Sequence, residues 1–417
     1  MNTADDSKGT YEGPLAGLRV LEFCQVAAGP FSGLLFADMG ADVIKIEAKS
    51  GDSMRQWPPF NKGYSENFAS LNRNKRSIAL DLKDPGDRRD ALELARQSDV
   101  ILENNRPGVM KRLGLDYESL SAEMPALVYC SISAFGQSGP RAEQGGFDLT
   151  IQGIAGLMSV TGEEGRPPVK CGVPISDFSA GLYGAFSALA MVFEARRTGQ
   201  GAHVDIPMMG ATLGISALQT SEYFGRNENP KRLGSAHPRN APYQAFTAND
   251  GHFVLAAGND KLWKNVCDVM NRSELLDDPR FKKQVDRAMN QLALKELLEE
   301  EFQKNTAAAW IELFSSVGVP CEPINDISSA LADPQVEYSG WVQEMELPGG
   351  GNTKTFGSPV GILNRPDRNL RRPPDLDEHA EEIREELRQS KNHPSSVKTA
   401  FVVQDDDVSF EKDKRKP

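Results

Sequence analysis

The sequence predicts an α/β protein: a doubly wound, mainly parallel sheet in a large domain, with a smaller α/β domain. Short apolar runs alternate with helix-length segments over the first 135 residues, glycine and proline punctuate the boundaries, and the chain changes character near Pro242. GLRVLEF, from Gly17, reads as a strand. AAGPFSGLLFADMG then reads as a helix, with Pro30 near its first turn and Gly40 placed to end it. ADVIKIEA is a second strand. SIALDLK, the helical DPGDRRDALELARQ, DVILEN, the short helix PGVMKRL and ALVYCSISAF continue the alternation, so this part reads as Rossmann-like.

Residues 148–158 and 178–197 read as helices, the second ending in RRTGQG, where basic side chains precede Gly199 as a C-terminal stop. AHVDIPM is a strand after it. The expected organisation is a large domain beginning with residues 14–210, a linker at 211–241 and a small domain at 242–325. Residues 326–391 then complete the large domain, and 392–417 form a disordered tail.

At 417 residues the chain is longer than one core usually grows. Hydrophobic residues at 39% and charged residues at 25% fit an ordinary globular protein rather than a disordered or fibrous one. A net charge of -12 argues against nucleic-acid binding, although a local basic patch can still hold an anionic ligand. No apolar run approaches the roughly 20 residues of a membrane span, and MNTADDSKGTYEGP lacks the regions of a secretory signal. The expectation is a cytoplasmic protein that binds no membrane, with the mitochondrial matrix as the alternative if a presequence has been removed. Cys24, Cys130, Cys171, Cys267 and Cys321 show no C-x-x-C spacing, so neither a metal site nor a disulfide framework is expected. No G-x-G-x-x-G follows the first strand and no G-x-x-x-x-G-K-[ST] occurs, which removes the main support for dinucleotide and P-loop readings.

The chemistry concentrates in GVPISDFSAGLYGAFSALAMVFEARR, where Asp177 falls at the junction of a short apolar stretch and a long helix. Asp is a favoured N-cap, and on spacing alone that is its role. Capping and catalysis are compatible, because exposed helix N–H groups and the helix dipole would keep the carboxylate ionised.

The run GFDLTIQGIAGLMSVTGEEGRPPVKCGVPISDFSAGLYG, from Gly146 to Gly184, resembles the signature of the class III CoA-transferases, the group of formyl-CoA:oxalate and carnitine CoA-transferases. LEFCQVAAGPFSGLLFADMGADVIKIE, NRNKRSIALDLK and ENNRPGVMKRLGL match the same family in order and spacing, over about residues 14–380. The resemblance implies that Asp177 attacks the thioester carbonyl and that transfer proceeds through an aspartyl acyl anhydride and an aspartyl-CoA thioester. It also implies that Gln25, in the first strand-to-helix turn, positions the aspartate or binds the acyl oxygens, against a purely structural turn role. Asp148 lines the site by the same token, or else caps a helix. Matching CoA-binding positions are Val26, Leu80, Lys83, Asn104, Asn105 and Arg112, with Lys75, Arg76, Arg106 and Lys111 as further basic candidates for the phosphates. CoA thioesters enter as substrates, with no tightly bound cofactor. The implied assembly is a ring-like monomer interlocked in a homodimer.

α-Methylacyl-CoA racemases, of the same superfamily, carry a catalytic histidine in a G-H-D block; here the block is Gly146, Phe147, Asp148, and phenylalanine cannot shuttle a proton. The glycine-rich loop of the oxalate enzymes corresponds to LAAGNDKLW, with only Gly258. That departure, with KRLGSAHPRNAPYQAF, resembles the branch that uses succinyl-CoA and C4 to C5 dicarboxylic acids. Arg55 and His237 are the candidates to hold the distal carboxylate. A non-catalytic CoA-binding homologue and a thioesterase are the competing classes.

Overall fold

The computed structural model describes residues 12–365 and 370–392, and the tail expected after Asn392 lies outside them. Six strands form the main sheet: β1 Arg19–Phe23, β2 Asp42–Glu47, β3 Arg76–Ala79, β4 Val100–Glu103, β5 Val128–Ser133 and β6 Ala202–Pro207. Their spatial order is β3-β2-β1-β4-β5-β6, with every pair parallel. Connections run one way from β1 to β3 and the other way from β4 to β6. The loops leaving the carboxyl ends of β1 and β4 therefore diverge and open a crevice, the usual ligand position in such sheets.

Alternate residues of each strand serve opposite faces. Val20, Val43, Leu102 and Val128 pack towards the helices α1 Ala28–Asp38 and, later in the chain, Ile175–Thr198. Leu21, Ile44, Ile101 and Tyr129 pack towards α2 Pro85–Arg96 and the C-terminal helix Ala380–Asn392. Burial on both faces explains why these strands read as nearly unbroken apolar runs. The helix α3 Asp148–Ile154 is followed by α4 Ile175–Thr198. α4 is long and apolar enough to cross a membrane by length and composition. It packs instead on α1 and β5, burying Ala180, Ala188 and Val192.

The chain divides into two compact units, one made of residues up to 155, 172–217 and from 341 onwards, the other of 156–171 and 218–340. The second has a three-stranded antiparallel sheet of β7 Tyr243–Thr247, β8 His252–Ala256 and β9 Cys321–Pro323 over a core of Phe246, Phe253, Trp263, Phe302, Trp310 and Phe314. Two sequence expectations are corrected. The helix expected over 148–158 ends at Ile154, because Gly156 turns left-handed at φ +80°, and the segment 156–171 joins the second unit. The expected linker 211–241 is helical over Ala217–Arg226, and residues 326–340 also cluster with the second unit.

Candidate active site

The crevice is a cleft of ≈ 480 Å³ lined by the β1–α1 turn, the β4 turn, residues 144–147 and Asp177. In the first turn Gln25 is exposed, while the next residue, Val26, has φ +66°. A β-branched residue rarely adopts that conformation, so it must be held from outside. Asn104, just past β4, fixes the turn: its side chain accepts from Gln25 N at 2.9 Å and donates to Gln25 O at 2.8 Å. Glu103 holds the residue after Asn104, accepting from Asn105 N at 2.8 Å. Burial pushes the Glu103 carboxyl up to about 7 despite hydrogen bonds from Ser131 and Asn105.

Asp177 is not the N-cap that its spacing suggests. It lies in the first turn of α4, whose cap position is Pro174, and among the described residues nothing hydrogen-bonds its side chain. Asp148 takes the capping role from another segment: its Oδ1 accepts from Ser176 N at 2.9 Å and from Asp177 N at 3.4 Å, and its Oδ2 accepts from Gln152 Nε2 at 2.6 Å. Asp148 starts α3, but Phe147 holds that helix's cap position, with its N–H on Thr150 Oγ1. The helix N–H groups thus bind the Asp148 carboxylate rather than that of Asp177. Burial, followed by the charge of Asp148, pushes the Asp177 carboxyl up to about 7. The carboxylate expected to be fully ionised at neutral pH is instead pushed towards its protonated form, and among the described residues no group hydrogen-bonds it.

Of the other residues singled out, Val26, Asn104, Asn105 and Arg106 line the same cleft as Gln25 and Asp177. Lys83 is exposed on a loop, and Lys111 and Arg112 are exposed on the short helix Val109–Leu113. Several candidates are corrected. Lys75 is buried and bound to Glu22 at 2.8 Å, Pro30 O at 2.8 Å and Asn72 at 3.1 Å. Arg76 is spent on Asp42, Glu382 and Glu386. Neither can reach a phosphate. The Leu80 side chain belongs to the core. Arg55 is engaged by Glu47 and by Pro374 O, above the Phe68 ring, so it has no free fork for a substrate carboxylate. His237 and Gly258 belong to the second unit. His237 Nδ1 accepts the N–H groups of Arg239 and Asn240, and burial and Arg239 lower its pKa, which disfavours the cation that an acid would need. Gly258 is needed where it stands, since a Cβ there would lie 2.6 Å from Asn240 Cβ.

Sequence reasoning missed Glu22, Lys45 and Asp52, which sit directly beneath the Gln25 turn. A signal existed, because a lysine within the apolar strand ADVIKIEA and a glutamate within RVLEF both require buried partners.

The family model for CoA-transferase family III matches residues 15–380. The chain is 36% identical over 376 residues to the succinyl-CoA:glutarate CoA-transferase of Homo sapiens, covering 90% of this chain and 86% of that one. It is 40% identical over 380 residues to the acetyl-CoA:oxalate CoA-transferase of Acetobacter aceti, covering 90% and 96%. The crystal structure of a CAIB/BAIF family protein from Brucella suis superposes with a TM-score of 0.80 at 37% identity, over 90% of this chain and 100% of that one.

Proposed function

Because the chain belongs to CoA-transferase family III, we propose that it moves CoA from an acyl-CoA donor to a free dicarboxylic acid, with Asp177 as the nucleophile. The observation that carries this reading is the Asp177 carboxyl itself, unbonded among the described residues and sharing a cleft with the Gln25 turn at the switch point of the sheet. A carboxylate destabilised by burial and by Asp148 is a better nucleophile than a solvated one. Acylating it removes the charge that Asp148 opposes.

In the proposed scheme Asp177 Oδ attacks the thioester carbonyl, the C–S bond breaks, and CoA thiolate leaves a mixed anhydride. The thiolate attacks the aspartyl carbonyl, releasing the donor acid and forming an aspartyl-CoA thioester. The acceptor carboxylate displaces CoA to give a second anhydride, and thiolate attack on its acyl carbonyl yields the new CoA ester and restores Asp177. Each step exchanges one activated bond for another, so the thioester energy is conserved. Gln25 positions the aspartate or the acyl oxygens by amide hydrogen bonds. Arg106, Lys111, Arg112 and Lys83 are the cations proposed for the CoA phosphates.

Succinyl-CoA with a C4 to C5 acceptor is the preferred pair, supported by the similarity to a succinyl-CoA:glutarate enzyme. A second reading, acetyl-CoA with oxalate, is favoured by the 40% identity to an acetyl-CoA:oxalate enzyme. A homodimer is proposed on a separate ground: Leu182, Phe186, Leu189 and Phe193 are exposed on one helix, α4, and call for a covering surface. The test is to incubate the protein with succinyl-CoA or acetyl-CoA and glutarate, itaconate, mesaconate, malate, oxalate or carnitine, then identify each new CoA ester by mass spectrometry. A dicarboxyl-CoA from succinyl-CoA is expected. Oxalyl-CoA from acetyl-CoA alone would transfer the reading to the second pair, and no product from any donor would remove the transferase assignment.

A further inference from the structure

Four charged side chains lie buried under the β1–α1 turn. Glu22, Lys45, Asp52 and Lys75 are each 2% exposed or less. Glu22 joins two lysines, Lys45 at 3.0 Å and Lys75 at 2.8 Å. Lys45 continues to Asp52 at 3.1 Å and donates to Cys24 O at 2.7 Å. Lys75 donates to Pro30 O, inside the first turn of α1. Asp52 ends the chain of charges: both of its oxygens, at 3.3 and 3.2 Å, face the N–H of Val26. The network therefore grips the turn at Cys24, at Val26 and at Pro30, on either side of Gln25.

Buried ions are costly, and apolar side chains of similar size would stabilise a sheet equally well or better. Their presence calls for a geometric purpose. Val26 supplies one: its left-handed backbone is unfavourable for a β-branched residue, and its N–H would otherwise be free. We propose that Asp52, oriented by Lys45 and Glu22, is a positioning residue that holds Val26 left-handed and thereby presents Gln25 to the cleft it shares with Asp177. This inference rests on the reading of that cleft as the transfer site. Lys45 is kept charged for the task, since Glu22 and Asp52 outweigh the burial that would lower its pKa.

The test is a cycle of D52A, V26G and the double variant, because glycine adopts φ > 0 without strain. Turnover and amide hydrogen exchange of the segment Cys24–Ala28 are both read. The expected result is that D52A accelerates exchange of this segment and lowers kcat by about thirtyfold in the otherwise wild-type protein, but by less than about threefold in the V26G background, a coupling of the size found for residues in one network. Equal losses in both backgrounds, unchanged exchange, or faster exchange with unchanged kcat would each overturn the proposal. D52N, which keeps shape and an acceptor oxygen, covers the case in which D52A does not fold, and should show the same pattern at smaller amplitude. Failure of the transfer reading is seen separately, as normal turnover in D177N with this segment's exchange unaltered.

Discussion

The carboxylate of Asp148 accepts the amide N–H groups of Ser176 and Asp177, at 2.9 and 3.4 Å, so the residue that caps α4 is also the charge that, after burial, raises the pKa of the Asp177 side chain. The helix N-terminus, which would otherwise stabilise an ionised Asp177, is already satisfied by a second acid.

A pH dependence follows. In the proposed mechanism Asp177 attacks as the ionised carboxylate, and burial, then the Asp148 charge, pushes its carboxyl up to about 7. kcat/KM should therefore fall about tenfold per pH unit below that point. Asp148→Asn keeps an oxygen for the Ser176 N–H but removes the charge, and the acidic limb should move to lower pH by about one unit. A pH–rate profile of both proteins checks this; a limb that stays in place would remove Asp148 as a cause.

The same shift makes Asp177 a cost to the fold. Its folded pKa lies above the unfolded value, so the native state binds the extra proton, and stability falls as pH rises from about 4 through about 7. Asp177→Asn should raise stability at pH 8 by on the order of 1–2 kcal/mol, discounted for partial exposure, with the difference closing below about pH 4. The same variant should lose about a thousandfold or more in CoA transfer. Denaturant titrations at the two pH values, alongside turnover, measure both effects.

Buried and exposed cations should separate by phenotype. Lys75→Met strips Glu22 of one of its two partners and should destabilise the protein by about 3 kcal/mol. Arg106→Ala and Arg112→Ala should instead raise KM for the acyl-CoA by about tenfold, with little change in unfolding temperature. Thermal unfolding set beside steady-state kinetics distinguishes them, and a large KM effect in a stably folded Lys75→Met would restore Lys75 as a CoA ligand.

Asn104→Ala removes both hydrogen bonds to the Gln25 backbone. A stability loss of about 1–2 kcal/mol and a drop in kcat of about tenfold are expected. Unchanged kcat would show that Gln25 does not need this support.

The parallel sheet was readable because strands buried on both faces are written as unbroken apolar runs separated by helices with clear stops. Asp177, Gln25, Asn104 and Asn105 come from the family resemblance, and the fold brings them to one cleft. What could not be read was the partnership between distant segments. Asp148 and Ser176 are 28 residues apart and meet only in the fold, so spacing assigned the cap to Asp177 instead. Lys75, Arg76 and Arg55 look like surface cations in sequence because, unlike Lys45 within its apolar strand, they have polar neighbours; their carboxylate partners settle it. The left-handed Val26 has no sequence signal at all, since valine is the wrong residue for that conformation.

In the proposed mechanism the acyl group and CoA pass through a bond to Asp177. The most direct measurement is mass spectrometry of the protein digested after brief exposure to succinyl-CoA, with and without borohydride to reduce a thioester. An adduct, or its reduced alcohol, is expected on the peptide containing Asp177, and none in Asp177→Asn. Turnover without any adduct, or an adduct on a different residue, would contradict it.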